Sequence, residues 1–495
     1  MFPEDFSILA EGAEIYSSGI SIFTIGWGVL HLIGFICSIH ALLSVRTPQG
    51  TIAWIATLNT VPIIAVPAYL VFGRSKFRGF IFARQAEDSE LKGLIESIRP
   101  KARRFLHQIE DGPDGTRGRF LAVERLAKMP FLKGNEVELL IDGHATFGSI
   151  FSGIDEARNY VLIQFFIVHD DEIGRELKDH LSKKASEGVR VRFLYDEIGC
   201  NKLPETYIRE LRDAGVHMQP FHTTRGSGNR FQLNFRNHRK IVVVDGHVGW
   251  VGGHNVGDEY LGRDRKFKGW RDTHMKITGP SVLGLQLSFL EDWNWATDEK
   301  LDLTWEPDAA PDSDVPVLIL PSGPADAVAT MSLMFQHAIH SARHRIWIAS
   351  PYFVPDEGVI NALQVAEMRG VDTRILIPDQ PDHLLVYMSA YAFLGKMLAS
   401  GIEIYRYQEG FMHQKVFLVD DRVSAIGTAN LDNRSFRLNF EVTALVVDHG
   451  FNDQVEQMLL ADFERSRKMT LSDVEGKPTW FKAAARAAYL TAPLQ

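Results

Sequence analysis

Two stretches of this chain copy one another, and the duplication limits what the chain can fold into. The first reads NHRKIVVVDGHVGWVGGHN and the second MHQKVFLVDDRVSAIGTAN. Each contains His-x-Lys-x4-Asp, as His238, Lys240 and Asp245 and as His413, Lys415 and Asp420. Each has an Asn seventeen residues after its His, Asn255 and Asn430. With 18 His in the chain, this triple is expected by chance on the order of 0.05 times, taking about one in twenty for Lys and for Asp. Two copies with the same trailing Asn mean an internal duplication.

The flanking sequence repeats as well. YVLIQFFIV (Tyr160 to Val168) is a continuous apolar run, suited to a strand buried on both faces. A polar helix over about Ile173 to Glu187 follows, closed by Gly188, and VRVRFLYD (Val189 to Asp196) is a second strand. The later copy has strands at IWIASPYFV (Ile346 to Val354) and VDTRILIP (Val371 to Pro378) around PDEGVINALQVAEMRG. Strand, helix and strand with short turns predict parallel βαβ units, hence an α/β fold in two related domains. Their ends are set at residues 136–305 and 317–495, separated by the Pro- and Asp-rich LDLTWEPDAAPDSDVP (Leu301 to Pro316).

The first 73 residues are different material. Between Glu14 and Arg46, and again between Arg46 and Arg74, no Asp, Glu, Lys or Arg occurs. The apolar cores, residues 19–43 and 51–73, each exceed the roughly 20 residues a helix needs to cross about 30 Å of hydrocarbon. They predict a two-helix transmembrane hairpin, with Pro62 and Pro67 kinking the second span and His31 and His40 packed as polar groups in the helix pair. A cleaved signal peptide fits worse, because the leading segment is acidic and a second span follows at once. The N-terminal tail has no Lys or Arg, whereas Arg74, Lys76, Arg78 and Arg84 follow the second span. Both the tail and the large C-terminal part are therefore expected on the cytoplasmic side. Residues 74–135 form a juxtamembrane linker in this reading. Its Lys92, Arg99, Lys101, Arg103 and Arg104 add to the basic group, and each such residue near an anionic bilayer adds about 1 kcal/mol of attraction.

His and Lys two apart on a strand share a face, and Arg239 between them turns away. Lys supplies a point charge and Asn an amide donor, both suited to a phosphoryl oxygen. Two copies facing one another place two His, two Lys and two Asn around one anionic centre. Two imidazoles suffice for a two-step transfer, one attacking phosphorus and the other serving as acid and then base. Neither a metal nor another cofactor is called for. A carboxylate should hold each ring in the right tautomer, and Asp272 and Glu441 are the candidates. Asp245 and Asp420 belong to the motif, but each ends an apolar strand and suits bracing the turn better than touching substrate. His337, His340 and His344 have helical spacing and read as a surface or core face rather than a metal site. Trp293 and Trp295 suit either core packing or a lipid interface, and Trp480 to Leu490 suits an amphipathic helix lying on the membrane.

The paired motifs resemble those of the phospholipase D superfamily, and most closely the bacterial cardiolipin synthases. Arg46–Thr47–Pro48 and Phe72–Gly73–Arg74 match that family around its spans. NHRK…D…GG-x-N-x-GDEY runs from Asn237 to Tyr260, and GF-x-H-x-K…D, GT-x-NLD-x-RSF-x-LNFE from Gly410 to Glu441. The resemblance covers nearly the whole chain. It implies a multi-pass enzyme of the bacterial inner membrane that moves a phosphatidyl group between lipids, making cardiolipin and glycerol from two phosphatidylglycerol molecules. It also implies that His238 is the nucleophile and His413 the general acid. His254 falls in a variable slot of the pattern and is given no role.

A phospholipase D, with water as acceptor, needs the same groups, so the motifs do not separate the two. A phosphodiester nuclease is disfavoured by the formal net charge of -9 and by the apolar N-terminus. A lipid-binding scaffold with a dead site would show a decayed His or Lys, and both motifs are intact. The partners expected are phospholipids and the bilayer, not nucleic acid; acceptor identity and oligomeric state stay open. The 2 cysteines, Cys37 and Cys200, cannot build a disulfide framework.

Overall fold

The computed structural model describes residues 5–45, 47–73, 76–77, 80–81, 93–108, 116–222, 234–263, 267, 269–297 and 299–495. The chain divides into two compact units, Met1–Phe77 with Thr223–Asn234, and Arg78–His222 with Phe235–Gln495.

The first unit is helical: α1 (Asp5–Ser44), α2 (Pro48–Thr60) and α3 (Pro62–Phe72). Thr47 caps α2 by accepting the Gly50 amide at 3.1 Å, with Pro48 at the first helical position, where its missing N–H costs nothing. α1 packs against the other two through Cys37, Ala41, Leu58, Ala65, Val66 and Tyr69. Asn59 donates to Ser38 Oγ at 2.8 Å, and His40 Nδ1 pairs with the Tyr69 hydroxyl at 2.6 Å. The expected second span is not one helix. Pro62 has no N–H to continue the ladder, and Val61 leaves helical geometry at φ -133° and ψ 60°. The stretch becomes two helices of 13 and 11 residues, while Pro67 is accommodated inside α3. Among the described residues one helix segment, Thr24–Ser44, is long and apolar enough to cross a membrane. Arg46, Arg74, Arg78, Arg84 and Lys92, which carried part of the orientation and surface-charge reading, lie outside the described residues.

The second unit holds both copies of the repeat. The first half contains β1 (Leu132–Ile141), β2 (Tyr160–Phe165), β3 (Arg190–Asp196), β4 (His217–Phe221), β5 (Arg236–Asn237), β6 (Ile241–Val244), β7 (Val248–Gly252), β8 (Trp270–Arg271) and β9 (Thr273–Thr278). The second half opens with β10 (Val315–Ser322), β11 (Arg345–Ala349), β12 (Phe353–Val354), β13 (Asp372–Pro378) and β14 (Glu403–Tyr407). It continues with β15 (Phe411–Met412), β16 (Val416–Val419), β17 (Val423–Gly427), β18 (Leu431–Asp432), β19 (Asn439–Val447) and β20 (Ser466–Lys468).

The strand order is β4-β3-β2-β6-β7-β9-β1 in one half and β14-β13-β11-β16-β17-β19-β10 in the other. Matched strand for strand, the two orders are the same. β2 and β3, like β11 and β13, are parallel, as the βαβ reading requires. β1 and β10 pair antiparallel and join the halves into one sheet.

Local chemistry explains the repeat. Every residue of β2 is buried, so the run needs no polar alternation. Asp171 caps helix Glu172–Ser186 by accepting the Gly174 amide at 3.0 Å, and Gly188 follows at φ 90°. In the second half Asp356 caps helix Glu357–Met368 through the Val359 amide at 3.1 Å, and Gly370 ends it at φ 79°. The run Ile346 to Val354 splits into β11 and β12, because Pro351 cannot donate to a ladder. The expected 74–135 linker is in part packed: Val123, Ala127 and Phe131 are buried in the core of the second half with Leu318 and Met331. Trp293 and Trp295 are core residues, whereas Trp480, at the start of helix Thr479–Tyr489, is 66% exposed.

Candidate active site

Each motif His emerges from a short parallel pairing with the opposite half. β5 runs beside the start of β19, pairing Arg236 with Asn439 and Asn237 with Phe440. The next amide, His238 N, donates to Phe440 O at 2.9 Å, which sets His238 beside Glu441. The same device recurs across the pseudo-two-fold. β15 pairs with β8, His413 N donates to Arg271 O at 2.8 Å, and His413 lies beside Asp272.

Both imidazoles are thereby held by carboxylates from the other half. His238 Nδ1 is 2.9 Å from Glu441 Oε2, and His413 Nδ1 is 2.7 Å from Asp272 Oδ2. Both rings are 7% exposed and both carboxylates fully buried. Glu441 Oε2 also accepts from Thr428 Oγ1 at 2.6 Å, and Oε1 accepts from Ser435 Oγ at 2.8 Å and Asn439 Nδ2 at 3.1 Å. A carboxylate with this many donors cannot rotate, so the ring it holds cannot either. Asp272 Oδ1 takes the Thr273 amide at 2.8 Å. It is also why position 253 is glycine: a Cβ there would lie 1.9 Å from Asp272 Oδ1.

Lys240 Nζ donates to His238 O at 2.7 Å, and Lys415 Nζ makes the matching bond to His413 O. The two imidazoles and two lysines are close enough to act on one another. Burial, with help from Lys240 and Lys415 and against the pull of Glu441, lowers His238 to about 4. Burial, with Lys415, Lys240 and His238 adding, holds His413 well below the ordinary imidazole range. Lys240 falls to about 7 and Lys415 to about 8, burial again being the main cause. Burial pushes Glu441 up, but His238, its hydrogen bond, Lys240 and Thr428 outweigh it and keep the carboxylate ionised. The arrangement is therefore a neutral His238 whose Nδ1–H donates to Glu441. Its Nε2 makes no hydrogen bond among the described residues. The site is a dry, cationic centre suited to an anion.

Comparison with known proteins places the chain in a family. Residues 150–266 and 335–463 match the family described as "Cardiolipin synthase, PLD-like domain", and residues 32–74 match "Phospholipase_D-nuclease N-terminal". The chain is 50% identical to cardiolipin synthase A of Pseudomonas putida KT2440 over 469 residues, 94% of this chain and 97% of that protein. It is 48% identical to cardiolipin synthase A of Pseudomonas fluorescens Pf-5 over 478 residues, 96% and 99% of the two chains. The chain belongs to the bacterial cardiolipin synthases of the phospholipase D superfamily. In fold it is similar to the crystal structure of phosphatidylserine synthase from Haemophilus influenzae Rd KW20, with a TM-score of 0.58 at 17% identity. That likeness covers 76% of this chain and all of the other. A cardiolipin synthase is a phospholipid phosphatidyltransferase.

Not every motif residue lies there. Asp245 and Asp420 follow the far ends of β6 and β16, whose near ends adjoin the Lys residues. Asp245 accepts the amides of Arg158, Asn159 and Tyr160, each at 2.8 Å. Asp420 accepts those of Arg343, His344 and Arg345 at 3.1, 2.8 and 3.1 Å. Both adopt the left-handed conformation, φ 52° and φ 53°, at the turn that closes the hairpin. Asp245→Ala is expected to cost about 2–4 kcal/mol of stability, by orphaning three amides and straining the turn. Chemical denaturation measures it. A loss of kcat without loss of stability would return Asp245 to the chemistry.

Asn255 Oδ1 accepts the Ile167 amide at 3.1 Å and its Nδ2 donates to the Tyr260 hydroxyl at 2.8 Å, leaving one amide hydrogen for a ligand. Asn430 Oδ1 is buried without a partner. Arg239 turns away from the centre, as alternation predicts, and pairs with buried Asp292 at 2.9 Å. In the other half Arg271 pairs with Asp462 at 2.8 Å. The residues that sequence reasoning missed are Thr428, Ser435, Asn439 and Tyr260; all fall inside the motif stretches, but only tertiary contact shows whom they serve. His254 lies beside His274 in a buried pair with tilted rings, Nδ1 to Nδ1 3.4 Å, and burial lowers both rings to about 3. His337 and His340 sit on helix Thr330–Ser341 and His344 after its end. The ligand-type groups that do cluster are His169, Asp171 and Glu259, where both Asp171 oxygens already accept backbone amides.

Proposed function

We propose that this enzyme makes cardiolipin and glycerol from two phosphatidylglycerol molecules through a phosphohistidine. The crossed pairing of each motif imidazole with the opposite half's carboxylate carries the reading, because it fixes both rings by Nδ1 while the charged groups of the two motifs act on one another. His238 Nε2 attacks phosphorus, forming a P–N bond as the bond to the glycerol oxygen breaks. His413 gives that oxygen its proton. The acceptor hydroxyl then forms a P–O bond, the P–N bond breaks, and the hydroxyl proton passes to His413. Lys240 and Lys415 balance the phosphoryl charge. Burial, with Lys415, Lys240 and His238 adding, disfavours a proton on His413. The incoming phosphodiester anion reverses that field, so substrate itself charges the acid.

The membrane reading is part of the proposal. α1 would cross the bilayer and α2 with α3 complete the hairpin, leaving the site on the cytoplasmic face. Ile25, Leu32, Phe35, Leu42, Ile52 and Ile64 are each more than half exposed, as a lipid-facing surface requires.

The test is purified enzyme with phosphatidylglycerol alone, in excess chelator. Cardiolipin plus glycerol supports the reading. Phosphatidic acid plus glycerol selects a phospholipase D, and activity restored only by a divalent ion counts against the metal-free scheme. The lowered lysines predict a pH profile. Lys240 and Lys415 lose their protons as pH rises through about 7 and 8, so kcat/KM should fall there. Bound phosphodiester raises both, so the falling limb of kcat should lie at higher pH. A kcat/KM flat past the upper of those values would exclude lysines of this kind from binding.

A further inference from the structure

The two halves differ where they line the centre. The bridge between Val168 and Val256 in the first half corresponds to the pairing of Phe353 with Leu431 in the second, since Val256 and Leu431 each follow the motif Asn. Phe166 and Ile167 therefore correspond to Pro351 and Tyr352. On the first side the Phe166 ring meets the His238 imidazole edge-on at 4.9 Å, and Lys240 Nζ lies 5.5 Å from its centroid. On the second side the Tyr352 hydroxyl donates to Asp382 Oδ2. Asp382 lies in the turn between β13 and helix Leu384–Ala399. Its charge reaches Lys415 and Tyr260, and that of the adjoining His383 reaches His413.

We propose that Tyr352 and Asp382 form the subsite for the alcohol, binding the hydroxyls of an uncharged polyol headgroup beside His413. This rests on the transfer reading above. In that reading the departing glycerol and the incoming headgroup occupy one place in turn, because His413 serves both oxygens. A carboxylate has about four lone-pair positions. Oδ2 takes Tyr352, with His383 Nε2 beyond hydrogen-bond distance at 3.7 Å, and Oδ1 takes the His383 amide at 2.7 Å, so each oxygen keeps one position for a hydroxyl. The Asp382 side chain is 21% exposed, which leaves it reachable. A vicinal diol matches two acceptors on one carboxylate, a monohydric alcohol uses only one, and an anionic headgroup is repelled.

The full-length enzyme is given phosphatidylglycerol with isotopically labelled glycerol and ethanol together. The readout is labelled phosphatidylglycerol formed relative to phosphatidylethanol. As a ratio, it does not depend on how much active enzyme survives a substitution. Wild type should prefer glycerol, and Asp382→Ala should lower the ratio about tenfold or more, the scale of one or two lost hydrogen bonds. Tyr352→Phe, a gentler change, should lower it about three- to tenfold and decides the matter if Asp382→Ala does not fold. A ratio equal to wild type in the variants that are active overturns the subsite. Wild type transferring to neither alcohol would overturn the transfer reading itself, and the subsite with it.

Discussion

His238→Ala is expected to abolish cardiolipin formation and any covalent phospho-enzyme, with a loss of at least about 10^4-fold in kcat. The size follows from geometry. The ring is buried, its Nδ1 is committed to Glu441 at 2.9 Å, and among the described residues of the first half no other imidazole pairs with Glu441. His413 is the nearest substitute, but it is oriented by Asp272 for the opposite side. Acid-quenched enzyme incubated with labelled phosphatidylglycerol reads the intermediate directly. Turnover persisting in this variant would remove the first-motif imidazole from the mechanism.

Glu441→Gln should lower kcat about 10^3- to 10^4-fold, comparable to loss of the carboxylate in a Ser-His-Asp triad. An amide at this position turns a donor toward Nδ1 or leaves the wrong tautomer, and the attacking Nε2 then carries the proton. The crossed geometry makes the prediction sharper. Glu441 is in the second half but serves the first-half His, whereas Asp272 is in the first half and serves the second. An activated phosphodiester with a phenolate leaving group needs no general acid. With it, Asp272→Asn should retain a rapid burst of phenolate, whereas Glu441→Gln should lose it. The reverse result would uncross the two pairs and with them the assigned roles.

Much of the fold was legible because it is encoded locally. β2 announces itself as an unbroken apolar run, and the Asp cap with its closing Gly marks the following helix in both halves. The His-x-Lys spacing was read as one face of a strand, but residues 238–240 and 413–415 precede β6 and β16 rather than lying in them, and each Lys Nζ bonds the carbonyl of its own motif His. Asp272 and Glu441 were legible as candidates because each follows its motif within the repeat. Other features exceeded what local pattern holds. Hydropathy read residues 51–73 as one span, because averaging apolar residues does not register the missing N–H of Pro62. The 74–135 region was read as a juxtamembrane linker, with the basic excess of residues 74–104 pointing to a bilayer surface. Yet Val123, Ala127 and Phe131 bury enough apolar surface to dock it on the second half.

Sequence alone determined that this chain is duplicated, that each copy is an α/β unit, and that each presents an imidazole beside an ammonium group. These depend on periodicity and spacing over a few residues, which the backbone translates directly into faces and turns. Only the tertiary structure decided which carboxylate holds which ring. His238 and Glu441 are 203 positions apart and His413 and Asp272 are 141 apart. Each pair meets because the halves join along β1 and β10 and their short strands cross at the centre. Contacts at that separation are set by how whole sheets close on one another, and no local spacing records it.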